Sequence, residues 1–500
     1  MKIFNADQLA ELDSLTCKEQ AISSWELMER AAKKAYAVIK TEIKTNSLCV
    51  FAGSGNNGGD GLAIAYFLAQ DGYEVTVYLV NYASSRSKDN QKNLVRLKNQ
   101  SKVKLIDFDE NALLPYLDLK TTLIDAIFGV GLNRPMPDFI QNLIKKINET
   151  ALKTIAIDVP SGMYMNQIPS ETEMVFKADS TLTFQSPKLS FYLPDYSECI
   201  GSIKILDIGL SLKGINQMES NSIYVDLKYA QSIYNRRQRF SHKGTYGHAL
   251  IVGGSQYMLG SVLLSSASCM RSGVGKTSVM MPKRGHSALL HYLPEAMLVQ
   301  TDSESFITYR NLEFTPQSIG IGVGIGQSSE ALKALKSWLA SSENPIVIDA
   351  DALNLVANNK ELLQLIPSCS ILTPHPGELQ KLVGQWQNDV DKLNKIKTFS
   401  KTWDVVVLAK DAYSLCIYKD SVYVNSTGNS GLATAGSGDV LTGLLTGLLA
   451  QGYISVHAAV LGAFLHGQAG DLALEETSEE SLIASDIVHY IGRSFGKLKN

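Results

Sequence analysis

One glycine-rich stretch of this 500-residue chain ends in an acid and has the makings of an anion site with a base beside it, and a second carries polar residues that could grip a ligand. In the C-terminal half, Gly436-Ser437-Gly438-Asp439 precedes the apolar run from Val440 to Leu449, which reads as a buried helix. The backbone N–H groups of Gly436, Ser437 and Gly438 then lie at the positive end of that helix, where phosphate oxygens bind. A carboxylate there suits a base that takes a proton from a hydroxyl attacking a phosphoryl group, and Asp439 is that base. A plain glycine-rich helix cap is the structural alternative. In the N-terminal half, Gly53-Ser54-Gly55-Asn56-Asn57-Gly58-Gly59-Asp60-Gly61 follows the short apolar run Ser47 to Ala52. Its Gly53-x-Gly55-x-x-Gly58 spacing is that of a dinucleotide fingerprint, yet the next strand ends on Asn81 where an acid would take the ribose hydroxyls. An ordinary redox NAD site is therefore not expected. Asn56, Asn57 and Asp60 instead form a loop that grips oxygens and amides.

Further polar punctuation falls where other strands should end. Asp125 opens a run through Gly129, Val130, Gly131, Leu132, Asn133, Arg134 and Pro135, and Asp158 opens Asp158-Val159-Pro160-Ser161-Gly162. Any one of these could be a turn or a cap, but three at one sheet edge favour a site, because open α/β sheets bind ligands there. Lys188 ends another strand and matters only if it turns back over the same edge. In the second half, Gly322 to Gly326 is a flexible turn. Asp349 and Asp351 are placed to approach a hydrated divalent metal, with a helix N-cap an equal explanation for Asp351. His375 is fixed between Pro374 and Pro376, and Lys410-Asp411-Ala412-Tyr413-Ser414 offers a lysine and backbone to a nucleotide.

These residues need strands and helices to bring them together. Two amphipathic helices, about 5–20 and 23–40, come first, with Leu9, Leu12, Leu27, Met28 and Ala31 facing inward. Strands are expected at 47–52, 74–80, 103–107, 121–128, 154–159, 178–188 and 201–208, with helices at 62–70 and 139–148. In the second half, strands at 249–252, 276–281, 319–321, 346–349, 370–372 and 405–408 alternate with helices, one of them at 261–272. This alternation predicts an α/β fold of two doubly wound domains. The N-terminal one is a Rossmann-like three-layer domain over 1–217, the larger C-terminal one covers 226–500, and the polar stretch from Gly209 to Ser222 is the linker.

Net charge is −3 and no long basic block occurs, so no nucleic-acid partner is expected. Six scattered cysteines argue for reduced thiols and against zinc or disulfides. The first residues lack an apolar core, so no secretory signal is read, and a cytoplasmic location is expected. The window from Val440 to Leu465 is broken by Gln451, Gly452, Ser455 and His457 into two helices too short to span a bilayer. No membrane partner is expected.

The stretches quoted above resemble a known family. Asn56 to Gly61, Asp125 to Arg134 and Asp158 to Gly162 are similar to the NAD(P)H-hydrate epimerase domain. His242 to Gly247, Thr373 to Glu378 and Asn429 to Gly443 are similar to the ADP-dependent NAD(P)H-hydrate dehydratase, of the ribokinase-like superfamily. The resemblance implies that the first domain equilibrates the R and S epimers of hydrated NADH or NADPH and that the second dehydrates the S epimer with ADP. It implies a potassium ion at Asn57, Asp125 and Ser161. Hydrated cofactor would contact Asn56, Asn57, Gly58, Gly59, Asp60, the run Gly129 to Pro135 and Asp158. In the second domain the substrate would meet Ser261, Gly324, His375 and Asp439, and the nucleotide Lys410 to Ser414 with Gly436, Ser437 and Gly438. Mg2+ is expected with the nucleotide, and a homo-oligomer is expected.

Asp439 then deprotonates the ring hydroxyl, which attacks the β-phosphoryl group of ADP. Phosphate leaves and the ring double bond returns. Asp158 and Lys188 are the acid–base candidates of the epimerase. The sequence departs from the family pattern at Ala435, Val323, Ser261 and Met163-Tyr164. The alternative reading is an ATP-dependent kinase of a small vitamin-type alcohol, with the N-terminal half as a nucleotide-binding module.

Overall fold

The computed structural model describes residues 1–100, 102–113, 118, 120–150, 152–165 and 174–499. They divide into two compact units, Lys2–Ser220, and Asn221–Asn500 together with Met1.

In the N-terminal unit the strands run parallel in the order Val103–Phe108, Glu74–Val80, Ser47–Ala52, Thr122–Ala126, Thr154–Ile157, Ser180–Phe184 and Ser202–Leu206. Successive side chains of a strand point to opposite faces. Leu48, Val50 and Ala52 accordingly pack with helices Ser24–Glu42 and Asn56–Gln70, while Cys49 and Phe51 pack with helix Asp138–Asn148. That last helix repeats Ile140, Leu143, Ile144 and Ile147 on one stripe, the spacing a surface helix needs. The unit is thus three layers, as the alternation of elements predicted. Asn5 with Gln8 and Ser23 with Glu26 close capping boxes at the starts of the first two helices.

Residues 209–222 depart from expectation. Ser211 caps a short helix, Leu212–Gln217, and Ile208, Leu210, Ile215 and Met218 pack with Leu12 and Leu27 of the opening helices. Apolar residues spaced among the glycines tie most of the expected linker into the first unit.

In the C-terminal unit the order is Ser222–Val225, Ser421–Asn425, Leu415–Tyr418, Val406–Ala409, Ile371–Leu372, Val347–Ile348, Ser318–Ile321, His248–Val252, Lys276–Met280 and Met297–Val299. The strands from Val406–Ala409 to Met297–Val299 are all parallel, and Leu415–Tyr418 pairs antiparallel on both sides. Val347, Ile371, Val406 and Leu408 share a core with helices Ser437–Ala450 and Ser455–Ala473. These two helices are the halves of the apolar C-terminal window, and among the described residues no helix is long and apolar enough to cross a membrane.

Each sheet is wound in two directions from an internal pair of strands. From Ser47–Ala52 the chain steps outward to Glu74–Val80, and from its other neighbour, Thr122–Ala126, it steps the opposite way. His248–Val252 and Ser318–Ile321 form the same kind of pair in the second sheet. Right-handed crossovers then leave on opposite faces and open a crevice at the strands' C-terminal ends. The candidate residues gather at these two crevices.

Candidate active sites at the two crevices

In the N-terminal unit, Gly53 and Ile127 are the residues that leave the paired strands, and they approach closely: a Cβ on Gly53 would lie 2.0 Å from the Ile127 carbonyl oxygen. The expected loop at Asn56 to Asp60 is helical from its first residue, because helix Asn56–Gln70 starts directly after its N-cap Gly55. Gly58 and Gly59, expected to contact substrate, are packing positions instead. A Cβ on Gly58 would lie 2.0 Å from the Gly53 carbonyl oxygen and one on Gly59 would lie 2.8 Å from Met28 Sδ. Asn56, Asn57 and Asp60 do line a cavity of about 960 Å³, together with Gly129 to Arg134, Asp158 and Lys188; Gly58, Gly59 and Pro135 are not on its wall. The volume is at the upper end for small-molecule sites.

Asp158 has a left-handed backbone, φ +64°, which an aspartate tolerates better than most residues. Its Oδ1 accepts from Lys188 Nζ at 2.9 Å, Thr183 Oγ1 at 3.2 Å and Phe184 N at 3.3 Å. Its Oδ2 faces Gly129, 3.7 Å from where a Cβ would stand. Lys188 does turn back over the edge, but its ammonium is fully buried and also bonded to Thr183 Oγ1 at 2.8 Å, Ser186 O at 3.0 Å and Phe184 O at 3.2 Å. A donor committed to four acceptors is a counter-ion for Asp158 and a poor proton shuttle.

Asp125 and Ser161 are buried together. Asp125 accepts from Ser161 Oγ at 2.6 Å, Ser161 N at 2.7 Å and Ile127 N at 3.1 Å. Burial outweighs these bonds and pushes its carboxyl up to about 6. Asn57 Nδ2 donates to Phe128 O at 2.7 Å, and its Oδ1 is buried with no hydrogen-bond partner among the described residues. Asn81 is held between Arg86 and Asp107, so the fingerprint's usual ribose position serves a structural network.

Sequence reasoning missed Asp13, Tyr82 and Phe128, all on the cavity wall. Tyr82 packs on Phe128 with ring centroids 4.6 Å apart. No local signal singles out Asp13, which lines the cavity beside Asp7, Leu9, Ala10, Ser14 and Cys17 of the same helix. Its pKa is pushed up to about 6, by burial first and then by Asp158, while burial and the charges of Asp158 and Asp13 hold Asp60 well above the carboxylate range.

In the C-terminal unit, Gly436 is the N-cap of helix Ser437–Ala450 at φ +88°, and no side chain among the described residues caps the helix. Ser437 N donates to Thr434 O at 3.4 Å, and the other amides of that first turn are placed for an anion. Lys410 stands at the same place: a Cβ on Gly438 would lie 3.4 Å from its Nζ. Lys410 Nζ donates to Asp349 Oδ1 at 2.9 Å, and Thr442 Oγ1 donates to Asp349 Oδ2 at 2.7 Å. Burial opposes the ionised form of Asp349, yet Lys410 and the hydroxyl bonds hold its pKa below the ordinary value. Asp439 is pushed up to about 6 by burial, against a hydrogen bond from Ser261. Asp349, Lys410 and Asp351 are near enough to act on its charge. Gly324, at φ +64°, leaves no room for a Cβ against Met258 and Ser261.

Three expected contacts have structural work. His375 caps helix Pro376–Val383, its Nδ1 accepting from Gly377 N at 3.1 Å and Glu378 N at 3.4 Å. Asp411 is held by Lys392 at 2.9 Å. Asp351 accepts from Gly326 N at 2.8 Å. With Asp349 committed to Lys410 and Thr442, the two acids do not form a metal site by themselves, and among the described residues no cluster of three His, Cys, Asp or Glu side chains is placed to hold one. Glu378 and His466 were missed. Glu378 is buried within reach of the charges of Lys410 and Asp349, and His466 Nε2 lies 3.0 Å from Ser437 O.

Two family models match the chain. One, described as NAD(P)H-hydrate dehydratase, covers residues 249–493, and one, described as YjeF-related protein N-terminus, covers 24–190. The bifunctional NAD(P)H-hydrate repair enzyme of Moorella thermoacetica is 32% identical over 98% of this chain and 96% of its own length. That of Coxiella burnetii is 31% identical over 98% of each. Among solved structures, an ADP/ATP-dependent NAD(P)H-hydrate dehydratase from Bacillus subtilis, co-crystallised with ATP/Mg2+, is 28% identical. It aligns with 55% of this chain and 98% of its own at a TM-score of 0.48.

Proposed function

The chain belongs to the bifunctional NAD(P)H-hydrate repair enzymes, and on that premise we propose how its two crevices divide the work. The protein is a NAD(P)H-hydrate epimerase and dehydratase in one chain. In our reading residues 1–217 carry the epimerase and 226–500 the dehydratase, with ADP as co-substrate of the second.

For dehydration, the substrate hydroxyl lies against Asp439 and the nucleotide's phosphates lie on the open first turn of helix Ser437–Ala450. Asp439 takes the hydroxyl proton, the oxygen attacks the β-phosphorus of ADP, and AMP leaves. The Gly436 to Gly438 amides and Lys410 hold the charge that develops. The ring nitrogen's lone pair expels phosphate from the ring carbon, and loss of a proton from the adjacent ring carbon to solvent restores the double bond and gives NAD(P)H. The observation that carries this reading is the grouping of Asp439, Lys410 and an uncapped helix start at one sheet edge. Mg2+ in this scheme arrives with the phosphates, as that ion usually does, and not through the Asp349 and Asp351 pair.

For epimerisation, the ring enters the N-terminal cavity near Asn56, Asp60, Gly129 to Arg134 and Asp158. Asp158 is the base, held through Oδ1 by Lys188 with Oδ2 facing Gly129. The residues expected to hold potassium fit a hard monovalent cation, since Asn57 Oδ1 is a buried acceptor without a partner beside an oxygen-rich pair. Asn57, Asp125 and Ser161 would hold the ion, which supplies a fixed positive charge to a substrate carrying phosphates.

Purified protein incubated with hydrated NADH and ADP, ATP or neither tests the whole reading. Recovery of NADH absorbance with ADP is the expected result. A vitamin-type kinase would leave the absorbance unrecovered.

A further inference from the structure

Helix Ala6–Gln20 lines the N-terminal cavity with Asp7, Leu9, Ala10, Asp13, Ser14 and Cys17, and of these Asp13 lies within reach of the charge of Asp158. The epimerase needs two proton-transfer groups because an R and an S alcohol interconvert only if the ring carbon becomes planar and is attacked again from the other face. Asp158 accounts for one. Lys188 does not account for the other, since its ammonium is fully buried and bonded to four acceptors.

We propose that Asp13 is the proton donor of the epimerisation, working with Asp158 as the base across the same cavity. The proposal rests on the epimerase reading of this unit. The two carboxylates reach the cavity from different elements, one from the opening helix and one from the end of strand Thr154–Ile157. They are near enough for the charge of Asp158 to act on Asp13. They are also unlike in surroundings: Asp158 is paired with a lysine, whereas Asp13 has a negative neighbour. Two carboxyl groups separated in this way divide into acid and base. Asp60 also faces the cavity and is half-buried in the first turns of helix Asn56–Gln70, whereas Asp13 is exposed. An acid that fires once per turnover must be reloaded from water, and the more exposed Asp13 is the better placed for it.

The step balances without any further reactant. The hydroxyl-bearing carbon is bonded to the ring nitrogen. Asp13 gives its proton to the hydroxyl, the C–O bond breaks and water leaves. The nitrogen lone pair forms a C=N bond, which makes the carbon planar. Water then adds to the opposite face, the C=N electrons return to nitrogen, and Asp158 takes the proton. One proton has moved from Asp13 to Asp158, and exchange with solvent resets both.

The test uses the full-length protein, R hydrate without nucleotide, and chromatographic separation of the epimers, run also in water carrying a heavy oxygen isotope. Asp13→Asn is expected to slow R-to-S exchange by about 100-fold or more, with an unchanged melting temperature, and Asp13→Glu to recover part of the rate. The product hydroxyl is expected to carry solvent oxygen. Wild-type exchange retained in Asp13→Asn overturns the proposal, and so does the same loss appearing in Asp60→Asn alone. Exchange without uptake of solvent oxygen overturns the water-loss route and the part of Asp13 in it. Wild-type protein that fails to exchange the epimers at all would overturn the epimerase reading itself, and this proposal with it.

Discussion

Lys410 Nζ lies 2.9 Å from Asp349 Oδ1 while standing beside the first turn of helix Ser437–Ala450. The cation that would meet a nucleotide's phosphates is therefore positioned before the nucleotide binds. Asp349 is 2% exposed and Thr442 occupies its other oxygen, so the carboxylate is a fixed anchor for the lysine. Preorganisation of this kind is where electrostatic catalysis gains most.

Replacing one member of that pair should be worse than replacing both. Lys410→Met leaves a buried carboxylate unpaired and is expected to lower stability by about 3 kcal/mol at neutral pH, read by urea unfolding. Asp349→Asn combined with Lys410→Met should recover most of it. The pKa of Asp349 is lowered by folding, so the pair stabilises the fold above the ordinary carboxylate pKa, and that contribution is lost as pH falls through the folded value. Strictly additive single and double variants would count against the pairing.

Asp439→Asn is expected to abolish ADP-dependent recovery of NADH absorbance. In the wild type, recovery should fall as pH drops through about 6, where the carboxylate gains its proton. Because folding raises this pKa, the associated stability is present at low pH and lost as pH rises through about 6. The Asn variant should therefore melt no lower than the wild type at pH above that value. Ser261→Ala removes a hydrogen bond to the carboxylate and should move the acid limb to higher pH. Near-normal turnover in the Asn variant would remove Asp439 from the mechanism.

In the N-terminal unit, Asp158→Asn keeps a side chain that tolerates φ +64° but removes the charge. R-to-S exchange should fall by about 100-fold or more, and the buried Lys188 left behind should lower stability by about 3 kcal/mol. Lys188→Met should also cut exchange, through a displaced Asp158. Full exchange in Lys188→Met would show that the ion pair is dispensable.

Potassium is expected to accelerate R-to-S exchange relative to choline at equal ionic strength. Asn57→Leu removes the unpartnered buried oxygen and should erase that difference. A variant that still responds to potassium would place the ion elsewhere.

Local pattern carried much of this protein. Alternating apolar runs and glycine-rich strand ends specify two α/β units, and the Gly436 to Asp439 stretch announces a helix start with an acid in its first turn, because caps and periodicity depend on neighbours along the chain. The polar stretches at Asn56, Asp125 and Asp158 were legible for the same reason. Tertiary structure decided what each residue touches. That Gly58 clears the Gly53 carbonyl, that Lys188 is committed to Asp158 and that His375 caps its own helix follow from close approach in space. Asp13 shows the limit most clearly. Its sequence neighbourhood is that of an ordinary amphipathic helix, and only the packing of that helix along the cavity brings its carboxyl near Asp158, more than a hundred residues away. Sequence spacing sets which side chains share a helix face; chain folding across the sheet sets which charges face each other.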